Sequence, residues 1–151
     1  MEPQSPPPTS ATGQPKKILL VEDETFIADL YARQLTNAGF TVQTAHDGTT
    51  GLQQLESQPF DLLLLDIMLP GINGLELLKE WRAKNPNSQM PVLLLTNLGQ
   101  DAVIKEGFDL GAQGYLIKAS YTPAQIVNEV QNALAGKQAG SPNPNPQPAT
   151  S

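Results

Sequence analysis

Residues 62–74 read LLLLDIMLPGING. Four consecutive leucines suit neither an amphipathic helix nor a strand with one wet face. They suit a short strand buried on both sides, as in a parallel sheet covered by helices. The run stops at Asp66, and Pro70-Gly71 then marks a turn. Three more unalternating runs follow the same plan: ILLV (18–21), VLLL (92–95) and YLI (115–117). A fifth, FTVQTA (40–45), alternates with polar residues and suits a sheet edge.

Helical spacing fills the gaps. Ile27, Leu30, Tyr31, Leu35 and Ala38 form one stripe, closed by Gly39 as a C-terminal stop. Leu75, Leu78 and Trp81 form another, and Val103, Ile104, Phe108 and Leu110 a third. Ile126, Val130, Ala133 and Leu134 form the last, with Thr122 as N-cap and Pro123 at the first helical position. A helix is also expected between Asp47 and Ser57. The order βαβαβαβαβα implies an α/β fold, a parallel sheet with helices on both faces and right-handed crossovers.

Composition bounds the rest. Nine of the 14 prolines fall at the two ends, in segments with almost no large apolar side chains. Residues 1–15 and 138–151 are therefore expected to be disordered or extended tails, around one domain over 16–137. A formal charge of -6, with no basic cluster beyond Lys16-Lys17, argues against a nucleic-acid binder. There are no cysteines, which excludes disulfides and thiolate metal sites. No apolar run approaches a membrane span, and the start MEPQSPPPTS is unlike a signal peptide, so a cytoplasmic location is expected. His46, the single histidine, is expected to be an exposed turn residue.

In open parallel sheets, ligands bind beyond the carboxyl ends of the strands. Glu22 and Asp23 follow the first run, Asp66 the third, Thr96 the fourth and Lys118 the fifth. Two carboxylates ~5 Å apart repel by about 3 kcal/mol at an effective dielectric near 20. Three gathered carboxylates therefore call for a hard cation, and Mg2+ suits a site with few protein ligands. Asp66 is then a candidate carboxylate nucleophile toward phosphorus, with Lys118 and Thr96 orienting the phosphoryl oxygens.

ILLVEDE, LLLLDIMLPGING, VLLLTN and GAQGYLIK together resemble, in order and spacing, the response-regulator receiver family of two-component signalling. The resemblance covers roughly residues 16–135. It implies a flavodoxin-like, doubly wound sheet of five strands in the order 2-1-3-4-5, with five helices. It implies Asp66 as phosphoacceptor, Glu22 and Asp23 as the acidic metal pair and the Met68 carbonyl as a further Mg2+ ligand. Thr96 becomes the switch hydroxyl, Tyr115 the switch aromatic that turns inward and Lys118 the phosphate-contacting lysine. Pro70 and Gly74 match the loop after the acceptor. The implied partners are a sensor histidine kinase or histidine phosphotransfer protein. Downstream stands a protein target or a second copy, met through the fourth helix, fifth strand and fifth helix, with no direct contact to nucleic acid or membrane.

Two positions depart from the family pattern. Ala119 follows Lys118 where the family usually has proline, often after a cis bond that alanine does not favour. Asn97 follows Thr96 where a small residue is commoner. Met68 and Leu98 flank the expected path of attacking water, and neither can orient it, so slow loss of the phosphoryl group is expected.

Rival functions fit less well. A haloacid-dehalogenase-like phosphotransferase wants a second acid where Met68 stands, so a signalling protein rather than an enzyme is expected. A flavin carrier needs a hydroxyl-rich phosphate loop where this chain has the acidic Glu22-Asp23-Glu24, and no GxxxxGK[ST] is present for a GTPase. The alternative is a receiver-like interaction module that works without phosphorylation.

Overall fold

The computed structural model describes residues 15–97 and 101–136. Apart from Pro15, the expected tails over 1–15 and 138–151 lie outside the described residues, as do Leu98 and Lys137. The elements run β1 (Lys17–Val21), α1 (Thr25–Asn37), β2 (Thr41–Ala45), α2 (Gly48–Ser57), β3 (Leu62–Asp66), α3 (Gly74–Lys84), β4 (Val92–Thr96), α4 (Asp101–Asp109), β5 (Gly114–Ile117) and α5 (Pro123–Leu134). A single 3-10 turn, Lys118–Ser120, separates β5 from α5.

The five strands are parallel in the order β2-β1-β3-β4-β5, as the resemblance implies. The alternating segment, β2, is indeed an edge strand, and β3 stands in the centre. Adjacent leucines of one strand point to opposite faces, which is why the runs do not alternate in polarity. Leu63, Leu65 and Leu94 join the core beneath α2, α3 and α4, together with Leu77, Leu78 and Trp81. Leu62, Leu64, Leu93 and Leu95 join the core beneath α1 and α5, with Tyr31, Leu35, Ile126 and Val130. All four leucines of β3 are fully buried.

Local chemistry sets the helix ends. Thr122 and Gln125 form a capping box at α5, with Pro123 in the first turn, and Asn73 and Glu76 form one at α3. Gly39 closes α1 with φ of 103°, a conformation that costs other residues more. Leu110 lies one residue beyond α4 but still packs on its core, so the helical stripe extends past the helix.

Two glycines let backbones approach closely. A Cβ on Gly74 would stand 2.3 Å from the Asp66 carbonyl oxygen, so α3 can begin beneath β3 only without a side chain there. A Cβ on Gly107 would stand 2.2 Å from a Leu94 methyl, and this close approach seats α4 on β4.

Leu64→Ala removes side-chain volume between β3 and the α1–α5 layer. It should lower unfolding free energy by about 2–5 kcal/mol in urea titrations. A loss below about 1 kcal/mol would contradict a tightly packed centre at this strand.

Candidate functional site

Every strand end named from the sequence reaches one edge of the sheet. Glu22 directly follows β1, and its N–H donates to the Ala45 carbonyl at 3.0 Å, extending the ladder one residue. Its side chain is fully buried. Oε2 accepts from the Glu24 N–H at 3.1 Å. Asp66 ends the central strand β3 and is buried as well. Its Oδ1 accepts from the Met68 N–H at 3.0 Å, and its Oδ2 accepts from Lys118 Nζ at 2.8 Å. Lys118 Nζ also lies 2.9 Å from Glu22 Oε1. That contact is an ion pair, and among the described residues Glu22 Oε1 is buried with no other polar partner.

Glu22, Asp23 and Asp66 each offer a carboxylate oxygen, and these oxygens all lie within 4.8 Å of one another. Asp23 is exposed, so the cluster opens to solvent on one side. Three hard oxygen donors, one of them buried without a hydrogen bond, fit a divalent cation such as Mg2+. Clustered negative charge in a buried pocket otherwise favours protonation. Burial pushes the Glu22 carboxyl up to about 7, and Asp66 beside it adds to the rise, while Lys118 and the Glu24 N–H oppose it. Burial alone would lower Lys118, but its contacts with Asp66 and Glu22 outweigh it and hold the ammonium above its usual range.

Thr96 ends β4, fully buried, with its hydroxyl donating to the Asn97 carbonyl at 3.2 Å. Tyr115 lies in β5 in a buried, inward position, its ring edge-on to Phe108 of α4 with centroids 6.0 Å apart. No cis peptide occurs among the described residues, so Lys118–Ala119 is trans and leads into the 3-10 turn. Met68 is 53% exposed at the mouth of the cluster.

Three features escape a reading by strand ends alone. The exposed His46 ring holds the Glu22 carbonyl through Nδ1 at 3.1 Å, joining the end of β2 to the cluster. Its place directly after an edge strand was the available signal. Tyr31, read as a stripe residue of α1, is buried within electrostatic reach of Lys118, Glu22 and Asp66, and burial pushes its phenol up. Phe26, in the first turn of α1, is 74% exposed, and no periodicity marked it. A cavity of about 580 Å3 opens at the opposite end of the sheet beside Lys16, Asp61 and Gln113, and none of the predicted site residues line it.

Residues 18–131 match the family model described as the response regulator receiver domain. The chain belongs to that family. Over 119 residues it is 40% identical to the regulatory protein VanRc of Enterococcus gallinarum, covering 79% of this chain and 50% of that protein. It is 38% identical over 118 residues to the transcriptional regulatory protein CusR of Escherichia coli, with 78% and 51% covered. The chain thus spans about half the length of the curated relatives it matches. A putative response regulator from Chloroflexus aurantiacus superposes with a TM-score of 0.74 at 35% identity, covering 81% of this chain and 99% of that one. A CheY-like receiver domain from Methanospirillum hungatei gives 0.74 at 29% identity, covering 80% and 94%. Response regulators are signalling proteins, and among the described residues no helix is long and apolar enough to cross a membrane.

The Glu22 carboxyl gives the receiver a pH signature. Its folded value lies above the ordinary 4.5, so the metal-free fold holds this proton more tightly than the unfolded chain does. The stability it contributes is complete below the unfolded value and is lost as pH rises toward about 7. Wild type without metal should therefore lose stability relative to Glu22→Gln across that window in urea titrations at stepped pH. A difference that does not change with pH would contradict the assignment.

Proposed function

We propose that this receiver takes a phosphoryl group on Asp66 from a phosphohistidine of a sensor kinase or phosphotransfer protein. The observation that carries the reading is the pairing of Lys118 Nζ with Asp66 Oδ2 at 2.8 Å and Glu22 Oε1 at 2.9 Å. It gathers the ends of β1, β3 and β5 around one ammonium.

An Asp66 carboxylate oxygen forms the new bond to phosphorus as the bond from phosphorus to the donor's imidazole nitrogen breaks. The electron pair of that bond stays on the nitrogen. The Met68 N–H and Lys118 hold the two Asp66 oxygens in place, so little reorientation precedes attack. Lys118 then turns its donors to the phosphoryl oxygens, and the Thr96 hydroxyl leaves the Asn97 carbonyl to do the same. Glu22, Asp23, Asp66 and the Met68 carbonyl would hold Mg2+, which when bound supplies positive charge against the phosphoryl oxygens.

The hydroxyl shift moves the end of β4, which carries α4 through the close contact at Gly107. Tyr115 packs edge-on to Phe108 of α4, so the face of α4, β5 and α5 responds as one surface. That surface meets a protein target or a second copy. Its two arrangements form a small equilibrium, biased by the contacts that the phosphoryl group adds.

Incubation with acetyl phosphate and Mg2+ should add one phosphoryl group to the intact mass of the wild type and none to Asp66→Asn. Equal labelling of Asp66→Asn would remove Asp66 from the role, and no labelling of wild type would favour the phosphorylation-independent module. With an apolar Met68 beside Asp66, the label should persist for many minutes after donor removal. A half-life of seconds would contradict that expectation.

A further inference from the structure

The far end of α4 is held by a single side chain from α3. Gly111 takes φ of 94°, and its N–H donates to the Phe108 carbonyl at 2.9 Å. The Ala112 N–H donates to the Gly107 carbonyl at 3.1 Å. These bonds satisfy two of the carbonyls that a helix end leaves over, and they turn the chain. The carbonyls of Leu110 and Gly111 accept from Arg82 instead, through Nε and Nη2, each at 3.1 Å. Nη1 of the same guanidinium donates to the Ser88 carbonyl at 3.2 Å. Arg82 lies in the last turn of α3, and Ser88 in the segment leading to β4. One guanidinium therefore joins α3, the approach to β4 and the end of α4.

Arginine suits this position because its planar fork is always charged and presents its donors in fixed directions. Among the described residues Arg82 pairs with no carboxylate, so its charge serves backbone carbonyls at the negative end of α4. Its guanidinium also sits 5.1 Å from the centre of the Trp81 ring, a core side chain. Beyond the turn the chain stays tied. The Gln113 N–H donates to the Val92 carbonyl at 2.9 Å, and the Gln113 side chain accepts from the Val92 N–H at 2.8 Å. The start of α4 differs, since Asp101 and Ala102 are exposed.

We propose that Arg82 is a positioning residue that makes the C-terminal end of α4 the fixed end of a lever. The proposal rests on the switching reading above, in which β4 carries α4 through the contact at Gly107. At ~1.5 Å per residue, Gly107 stands about 4.5 Å from Leu110 along the helix, and Asp101 about 13.5 Å. A displacement passed to α4 at Gly107 is then magnified about threefold at Asp101. The response of α4 is largest at its start and smallest at the turn that Arg82 holds.

Amide hydrogen exchange of the full chain, with Mg2+ alone and with acetyl phosphate and Mg2+, tests this. In wild type, phosphorylation should change exchange over residues 101–106 and leave 110–113 within about twofold. Arg82→Met keeps an unbranched stem and removes every donor, and Arg82→Lys keeps the charge without the fork. In both, the phosphorylation-induced change should spread into 107–113 by about threefold or more. Intact-mass labelling by acetyl phosphate should stay within about twofold of wild type, because Arg82 stands outside the charged cluster. An induced change still confined to 101–106 in Arg82→Lys would overturn the proposal, and that variant decides the matter should Arg82→Met fail to fold. Exchange at 107–113 raised by one factor with and without the phosphoryl group would leave Arg82 a structural clamp and overturn it too. A wild-type change centred on 110–113, or label with no change in α4, would overturn the lever alone. Wild type refusing label would overturn the phosphoacceptor reading itself, a result distinct from the others.

Discussion

Lys118 Nζ, held between Asp66 Oδ2 and Glu22 Oε1, is the contact on which the rest of the site depends. The Lys118 side chain is 12% exposed and those of Glu22 and Asp66 at most 2%, so solvent screens these contacts far less than a surface ion pair. Three carboxylates meet one cation there, and a single ammonium cannot balance them. Burial first, and Asp66 beside it second, raise the Glu22 carboxyl, and among the described residues its Oε1 has no hydrogen bond. An arrangement that costs the fold stability in this way is a usual mark of a functional centre.

The fold bears this cost through its leucine-rich centre. β3 is buried on both faces, and its neighbours β1 and β4 are equally apolar. Their hydrogen-bonded registers fix where each strand ends, and therefore where Glu22, Asp66 and Thr96 stand. Gly74 and Gly107 set how near α3 and α4 come to that framework. One glycine lies against the backbone of Asp66, and the other joins β4 to α4.

Much of this was legible from residues alone, for a physical reason. Uninterrupted apolar runs report two-sided burial, and parallel strands with short loops bring all their carboxyl ends to one edge, so charged residues after the runs must converge. The capping pair Thr122-Pro123 and the stop at Gly39 were equally local and equally readable. Other features depend on pairs distant in the chain. That His46 holds the Glu22 carbonyl, or that Tyr31 stands near the charged cluster, follows from strand order and helix rotation, which no single segment encodes. The exposure of Phe26 is similar, because an aromatic residue near a stripe of apolar residues reads as core until the helix is oriented. Tyr115 was expected as a residue that turns inward, and its buried position against Phe108 depends on how α4 docks.

In the proposed function, Glu22 and Asp23 after β1 hold a divalent ion against Asp66 of β3. Paramagnetic Mn2+, used in place of Mg2+, reports on that site in amide NMR spectra of the whole chain. Broadening should begin at residues 22–24, 66–68 and 118, and excess Mg2+ should reverse it. Broadening spread evenly over the acidic surface, or centred away from Asp66, would contradict it.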